Sequence, residues 1–369
     1  SAFLAQITHP NLLGRYDRGS GSPYMWDKVG PKNKRGPWLL EPSNFTPATR
    51  TPWGGRRIVE RLKPGVDVSG PVGESWELSV EPDFPSRIDD GPLLEDALRE
   101  AGLESTSLLV KLIDAADDLS VQIHPEDDDP ALDDDQSGKP EAWYILDADS
   151  GAGLYLGFEE GVTKEDVSRA LSQAARLDQL MHFVPVSAGD VFVIEPGTPH
   201  AIGRGVLLVE PQQVTPGKRG VTYRYWDWNR TYDEHGRANA HGAPRKLDAA
   251  RAVEVTKWGS PRGAALLARN RHRSGPATAN GDARLETLCG EDGPLVSSTF
   301  RIDRLSGSGV LELRGRDSLA ALTVVEGRVR VEGEQGAVEV VRGRTAALPA
   351  SEHAYRLTLD GAHALVCSL

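Results

Sequence analysis

The sequence predicts a mainly β protein, built as a sandwich or a barrel of short strands. Short apolar or alternating runs recur along the chain, for example at Val191–Ile194, Val206–Val209 and Val338–Val341. Glycine (39 residues) and proline (25 residues) are frequent, and they often separate such runs. Many short strands divided by Gly and Pro turns are typical of all-β architectures.

Two segments depart from the strand pattern and predict helices. Leu93–Gly102 has helical spacing and ends on a glycine. Thr163–Leu177 begins with Thr163 and Asp166 three residues apart, close to a capping box, and continues with helical spacing. We therefore expect a small helical insertion near residues 159–183.

Composition excludes several classes of function. The 369-residue chain is 39% hydrophobic and 26% charged, which is typical of a globular protein. It has no apolar run of about 18 residues and no signal-peptide pattern, so neither a membrane span nor secretion is expected. The formal charge of −12 disfavours binding to nucleic acids or anionic membranes. Two cysteines, Cys289 and Cys367, are too few for a disulfide framework, so we expect a cytoplasmic protein. No obligate protein partner is evident from the sequence.

Three short segments carry candidate metal ligands. Residues two apart on a strand share a face, so Gln122 and His124 can converge, as can Lys139 and Glu141. A Pro-Gly turn then delivers His200. Two imidazoles, a carboxylate and an amide oxygen form a plausible mixed nitrogen and oxygen site for a metal ion.

A weak internal repeat indicates two related units. Gly189–His200 and Gly343–His353 both consist of a glycine, an apolar strand, a proline turn and a histidine. This pattern resembles the second signature motif of the cupin jelly rolls. Paired upstream ligands precede only His200, so the second unit is predicted to be metal-free. We expect two cupin-type jelly-roll β-sandwiches: a catalytic metal-binding domain over 51–257 and a cupin-like domain over 283–369. Residues 258–282 are predicted to be a linker, and residues 1–50 an N-terminal extension.

Nine segments, in order, resemble the type I mannose-6-phosphate isomerases, a zinc-dependent family of the cupin superfamily. They are Trp53–Gly55, Gly73–Ser79, Lys111–Ala115, Ser120–Pro125, Gly138–Tyr144, Leu156–Phe158, Gly189–Gly203, Glu210 and Thr222–Arg224. The resemblance implies zinc bound by the four candidate ligands Gln122, His124, Glu141 and His200. It also implies an active-site arginine at Arg224, pocket residues at Ser120 and Lys139, and a carboxylate beside the metal at Glu210.

The implied reaction is the interconversion of mannose 6-phosphate and fructose 6-phosphate through a cis-enediolate. The charge that develops on oxygen needs fixed positive charge, which zinc and Arg224 can supply. Glu210 is either the proton shuttle or a buried carboxylate that orients a zinc ligand. Lys139, together with Arg224 or the Lys218–Arg219 pair, is expected to meet the phosphate.

Some features leave alternatives open. The extra residues Pro216–Gly220 can form a solvated turn, which we favour, or contribute basic contacts to phosphate. The extension before Trp53 can cover the pocket, and Arg204 replaces an asparagine usual in the family. A non-catalytic cupin that binds sugar phosphates and an iron oxygenase are competing hypotheses. Lys139, Arg224 and the four-ligand set disfavour both.

Overall fold

Antiparallel β-sheets make up most of the structure, a computed structural model that describes residues 35–350 and 353–369. The mainly β prediction is thus confirmed. Up to residue 34, the predicted N-terminal extension lies outside the described residues. The strands, in chain order, are β1 Trp38–Leu39, β2 Glu74–Leu78, β3 Leu108–Asp114, β4 Val121–Ile123, β5 Gln136–Ser137, β6 Glu141–Ala148, β7 Gly153–Phe158, β8 Met181–Pro185, β9 Asp190–Ile194, β10 His200–Ile202, β11 Val206–Gln213, β12 Arg219–Gly220, β13 Tyr223–Trp226, β14 Thr231–Tyr232, β15 Ala243–Pro244, β16 Arg271–Arg273, β17 Arg284–Cys289, β18 Arg301–Leu313, β19 Ala320–Gly333, β20 Gly336–Val341, β21 Thr345–Leu348 and β22 Tyr355–Ser368.

Helices are short and few in the described part of the chain. They are α1 Leu94–Glu100, α2 Lys164–Ser172, α3 Ala249–Val255 and α4 Gly263–Asn270, with a π-helical turn at Ile58–Leu62 and a 3₁₀ turn at Leu177–Leu180. Both predicted helices form, and the Thr163 and Asp166 capping box closes as expected. Helix α2 ends before Leu177, because Ala174 adopts a left-handed φ of 50° that a right-handed helix cannot include. No helix of the described residues has the length and apolar character needed to cross a membrane.

Two sheets face each other in the first sandwich. One has the strand order β16-β9-β6-β11-β3-β2 and the other has the order β13-β4-β10-β7-β8. Their shared core contains Trp143 and Ile145 from β6 and Leu154 and Leu156 from β7, all fully buried. The alternation of a strand places residues 141, 143 and 145 on this same inner face. Glu141 therefore points into the sandwich, although it is charged.

The other face of the six-stranded sheet is buried as well. Ala142 and Tyr144 alternate with the inner residues and join a second core that includes Ile302 and Leu365 from the C-terminal sheet. Tyr144 also hydrogen-bonds His363, with 3.1 Å between Oη and Nε2. Burial on both faces explains why β6 is a continuous apolar run rather than an alternating strand.

The C-terminal sheet has the order β1-β21-β19-β22-β18-β17, with β20 also paired to β19. Its long strands carry bulges, at Gly307–Gly309 in β18 and between Val324 and Arg328 in β19. Apolar residues from both sides of these bulges, such as Val324 and Val331, share one core, so the sheet folds over on itself. Strand β1, which comes from the predicted extension, completes its edge through β21.

The segment predicted as a linker, 258–282, contains regular structure. Leu266 of α4 packs into the core of the first sandwich, and β16 pairs with β9 at its edge. Its many polar side chains are at least partly exposed, which explains why composition alone indicated a linker.

Strand β2 connects the two halves of the molecule. Glu74 and Trp76 point to one face, and Ser75 and Glu77 point to the other. On that second face Glu77 accepts a hydrogen bond from Lys63 at 2.5 Å and another from Thr345 at 2.8 Å. The Lys63 and Glu77 side chains are each only 2% exposed, so this is a buried ion pair.

Candidate metal centre and cleft

The candidate ligands converge from both sheets of the first sandwich. In the five-stranded sheet, Arg224, Gln122 and His200 lie opposite one another on neighbouring strands and form a row. His124 follows directly after β4, and Glu141 begins β6 in the facing sheet. The pairing register within one sheet and the packing of the facing sheet, rather than closeness along the chain, thus bring residues 122, 124, 141 and 200 together.

His124, Glu141 and His200 form a compact buried cluster. The Nε2 atom of His124 lies 3.3 Å from one carboxylate oxygen of Glu141, and Nε2 of His200 lies 3.1 Å from the other. Ligand atoms of all three residues lie within 4.8 Å of one another. This grouping matches three of the four predicted metal ligands.

Backbone carbonyl groups orient both imidazoles. Nδ1 of His124 lies 2.8 Å from the carbonyl oxygen of Val221, and Nδ1 of His200 lies 2.9 Å from that of Thr198. Because a carbonyl can only accept, each Nδ1 carries a hydrogen and each Nε2 is turned toward Glu141. Burial lowers the pKa of His124 to about 3, with the charge of Lys139 as the next cause, so the ring is neutral near pH 7.

The cluster fits a metal ion on the chemistry of its own atoms. Nε2 of His124 and Oε1 of Glu141 are buried without a hydrogen-bond partner. The lone pair of the neutral His124 imidazole therefore faces a carboxylate, an arrangement that costs free energy unless a cation lies between them. Two imidazole nitrogens and a carboxylate are a donor set that suits zinc and other divalent transition metals.

Gln122 lies beside the cluster, with its Nε2 3.4 Å from Nε2 of His200. Turning the amide by about 180° would present its oxygen in the same place. Gln122, predicted from the sequence as a fourth ligand, thus lies next to the three clustered residues.

Gln212 is a residue that sequence reasoning missed. It lies opposite Glu141 in the β6–β11 ladder and donates from Nε2 to Oε2 of Glu141 at 2.7 Å. It is 1% exposed. The available signal was its position two residues after Glu210, on the same face of β11.

A cleft of about 650 Å³, counting its open mouth, lies next to this cluster. It is lined by Arg50, Trp53, Glu74, Trp76, Glu81, Lys111, Ile113, Leu119, Ser120, Gln122, Lys139, Glu210, Gln212, Gly220, Thr222, Arg224 and Arg245. The predicted residues Ser120, Lys139, Glu210 and Arg224 therefore all face one cavity. Gln122 and Gln212, which contact His200 and Glu141, connect this cavity to the cluster.

Glu210 occupies an unusual environment in the cleft. It is 3% exposed and accepts a hydrogen bond from Nε1 of Trp143 at 2.9 Å. Lys111, its partner across the ladder, lies 4.0 Å away. Burial, followed by the nearby charge of Glu141, raises the pKa of Glu210 to about 8. A carboxyl group with a pKa near neutrality can both take up and release a proton.

The cations of the cleft differ in how they are paired. Lys139 donates to Oγ1 of Thr222 at 3.0 Å, and burial lowers its pKa, followed by the charge of Lys111. Arg224 is half-buried, and its Nε has no hydrogen-bond partner. Burial and then the charge of Arg245 lower the pKa of Arg224.

The Pro216–Gly220 insertion forms a turn and short strand β12, which pairs with β5. Its Arg219 is exposed and pairs with Asp83 at 3.1 Å and with Asp135 at 2.7 Å. Only Gly220 of the insertion lines the cleft. A basic contact from Arg219 to a ligand in the cleft is therefore not built into this arrangement.

Within the described part of the second unit, no group of metal ligands comparable to the His124 cluster is found. His353, the repeat counterpart of His200, is exposed and lies 3.2 Å from Glu334. Cys289 and Cys367 are buried free thiols.

Comparisons with known proteins agree on one family. The chain is 32% identical over 302 residues to a mannose-6-phosphate isomerase of Streptococcus mutans, covering 78% of this chain and 85% of that protein. It is 31% identical over 229 residues to the mannose-6-phosphate isomerase ManA of Bacillus subtilis, covering 58% and 68% respectively. No family model matches the chain.

Solved structures give the same fold. The mannose 6-phosphate isomerase of Bacillus subtilis superimposes with a TM-score of 0.72 at 23% identity, over 91% of this chain and all of that one. A zinc-bound mannose 6-phosphate isomerase superimposes with a TM-score of 0.60 at 16% identity, over 90% and 99% of the two chains.

Proposed function

The chain belongs to the mannose-6-phosphate isomerase family, and from that membership we propose that it interconverts mannose 6-phosphate and fructose 6-phosphate. The geometry around Glu141 supports the proposal independently of the family likeness. The buried carboxylate of Glu141 lies between two imidazole Nε2 atoms, next to a cleft lined by Glu210 and five Lys and Arg residues. Such a cleft suits a small anion that reacts through a charged intermediate.

Gln122, His124, Glu141 and His200 would hold a zinc ion. When bound, the ion supplies Lewis-acid chemistry, which polarises sugar oxygens. Gln212 holds the Glu141 carboxylate in place through its hydrogen bond.

Glu210 is proposed to carry the proton. It removes the hydrogen from C2 of open-chain mannose 6-phosphate as a proton and leaves an enediolate. The O2 hydroxyl proton moves to O1, and return of a proton to C1 then gives fructose 6-phosphate. The raised pKa of Glu210 supports this role, since proton transfer is most efficient when the pKa of the carrier is near the working pH. The alternative role, orientation of a metal ligand, has less support because Glu210 bonds Trp143 while Gln212 bonds the candidate ligand Glu141.

Arg224 and Ser120 are proposed to bind the sugar. Arg224 carries a fixed positive charge beside Gln122, so it can stabilise the negative charge that develops on the sugar oxygens. Ser120 is buried at the cleft wall, where its hydroxyl can orient the sugar.

A coupled assay with metal analysis tests the proposal. We expect the purified protein with bound zinc to convert mannose 6-phosphate to fructose 6-phosphate, and to lose turnover when the metal is removed. In D₂O, deuterium is expected at C1 of the product. Full activity after zinc is verified absent would contradict the metal dependence. Tight binding of the sugar phosphate without turnover would instead identify a non-catalytic binding protein.

A further inference from the structure

Three arginines line one part of the cleft and come from distant parts of the chain. Arg50 precedes β2, Arg224 lies on β13, and Arg245 follows β15. Nη2 of Arg245 donates to the backbone carbonyl of Arg50 at 3.1 Å, which fixes these two segments together. We call these three residues the arginine cluster.

The positive charge of the arginine cluster is only partly balanced. Nη1 of Arg245 is buried without a hydrogen-bond partner, and the nearest carboxylate oxygen, of Asp227, lies 3.7 Å away. Asp227 is held by Arg230 at 2.6 Å through its other oxygen, Oδ1, and Oδ2 lies too far from Arg245 for a hydrogen bond, so the two charges face each other without one. Arg50 reaches Asp83 only at 3.5 Å, while Nε of Arg224 is unpartnered. Nη1 of Arg245 and Nε of Arg224 are thus buried donors without acceptors, which is costly, so this part of the cleft suits an anion.

The other cations near the cleft have partners of their own. Lys111 lies between the carboxylates of Glu74 and Glu210, over the ring of Trp76. Lys139 donates to Thr222, and the insertion's Arg219 is held by Asp83 and Asp135. The unpaired donors are therefore concentrated in the arginine cluster.

We propose that Arg245, with Arg50 beside it, binds the phosphoryl group of the sugar substrate, and that Arg224 lies between this group and the sugar oxygens. The inference rests on the proposed function. It differs from the expectation that Lys139, together with Arg224 or the Lys218–Arg219 pair, meets the phosphate.

The strand register supports an orientation in which the sugar oxygens lie near Gln122 and the phosphoryl group lies beyond Arg224. Arg224, Gln122 and His200 lie opposite one another on three neighbouring strands. With a strand spacing of about 4.8 Å, the Arg224 backbone is about 10 Å from that of His200. An extended six-carbon sugar phosphate can thus react beside Gln122 while its phosphoryl end reaches the arginine cluster.

The test compares Arg245→Gln with Arg304→Gln. Arg304 is a buried arginine that lies outside the cleft, donates to Gly275 and Ser274, and pairs with the half-exposed Glu286. We expect Arg245→Gln to raise KM for mannose 6-phosphate about 10- to 100-fold with a much smaller change in kcat, as for the loss of charged hydrogen bonds. Arg245→Lys should lie between, since it keeps the charge and loses the planar fork. Arg304→Gln should leave KM unchanged.

Calorimetric titration with inorganic phosphate separates the two proposals. We expect Arg245→Gln to weaken phosphate binding to the folded protein by a similar factor. If the wild-type protein binds phosphate through Arg245 but never isomerises the sugar, the anion site stands and the proposed function fails. If the protein is an active isomerase and Arg245→Gln leaves both KM and phosphate affinity at wild-type values, the inference about Arg245 is overturned. Unfolding curves of each variant verify that the fold is retained.

Discussion

Gln212 donates a 2.7 Å hydrogen bond to Glu141 from the position directly opposite it on the neighbouring strand. The bond fixes the rotamer of a buried carboxylate whose other oxygen has no hydrogen-bond partner. A candidate ligand is thus held in position before any ion arrives, which lowers the entropy lost on binding.

Replacing Gln212 by alanine should therefore weaken metal binding. We expect an affinity loss of about 10- to 100-fold, measured by competition with a chelator, because outer-shell hydrogen bonds contribute at this level. Activity should recover in excess zinc. The adjacent Gln213→Ala is the matched control, since its side chain points to the other face of β11. Equal affinities for the two variants would contradict this role.

Zinc should stabilise the fold through Glu141. At a free concentration 100 times the dissociation constant, the free energy of unfolding should rise by about 2.7 kcal/mol. In Glu141→Gln the increase should be smaller or absent, because a neutral amide is a weaker ligand than a carboxylate. Urea unfolding with and without zinc measures both. The same increase in wild type and variant would place the ion elsewhere.

Glu210→Gln should affect chemistry more than binding. We expect kcat to fall about 10²- to 10⁴-fold, the usual contribution of a general base, while zinc content stays at the wild-type level. The rate at which deuterium enters C1 of the product should fall in parallel with kcat. A variant that loses zinc and recovers the wild-type kcat in excess zinc would support the orienting role of Glu210 instead.

His363 should make stability depend on pH. It contacts Tyr144 and lies near Arg304, and burial, followed by the charge of Arg304, lowers its pKa from 6.5 to about 4. The unfolded chain therefore binds an extra proton between these values, so stability is complete above pH 6.5 and falls as pH drops to 4. The loss should reach about 3 kcal/mol.

Urea unfolding across this pH range measures the slope. His363→Gln should flatten it, because the amide cannot titrate. His235→Gln, at a histidine whose side chain is 66% exposed, is the control and should keep the wild-type slope. An unchanged slope in His363→Gln would show that other groups set the acid sensitivity.

Replacing only Lys63 of the buried Lys63–Glu77 ion pair should destabilise the protein more than replacing both residues. Lys63→Met leaves a buried carboxylate without its cation and should lower the free energy of unfolding by about 3–5 kcal/mol. Lys63→Met combined with Glu77→Gln should lose clearly less, since the amide oxygen can still accept from Thr345. Denaturation of both variants and of Glu77→Gln completes a double-mutant cycle. Additive losses would contradict coupling between the two side chains.

The sequence predicts which residues gather around Glu141 better than it predicts the lining of the cleft. Gln122, His124, Glu141 and His200 lie in short strand motifs, where the two-residue period shows which side chains share a face. Arg50 and Arg245 lie in irregular segments almost 200 residues apart, and only tertiary packing brings them to one cavity. Pairing register, which local patterns do not specify, also explains why Gln212 was missed.

The helices show the same difference between local sequence signals and tertiary packing. Helix α1 carries a glycine stop and α2 a capping box, and both were predicted. Helix α4 lacks a side-chain cap and depends on Leu266 packing against the first sandwich, and the polar residues on either side of it indicated a linker. A helix held by tertiary contacts has a weak local signature.

The doubly buried six-stranded sheet has a consequence for shortening the protein. A fragment ending near residue 282 would keep every candidate ligand, yet it would expose the Ala142 and Tyr144 face to water. Large exposed apolar patches promote association between molecules. The C-terminal sheet thus covers an apolar face of the half that carries the candidate ligands, and a shortened version of this protein would need that face redesigned rather than merely uncovered.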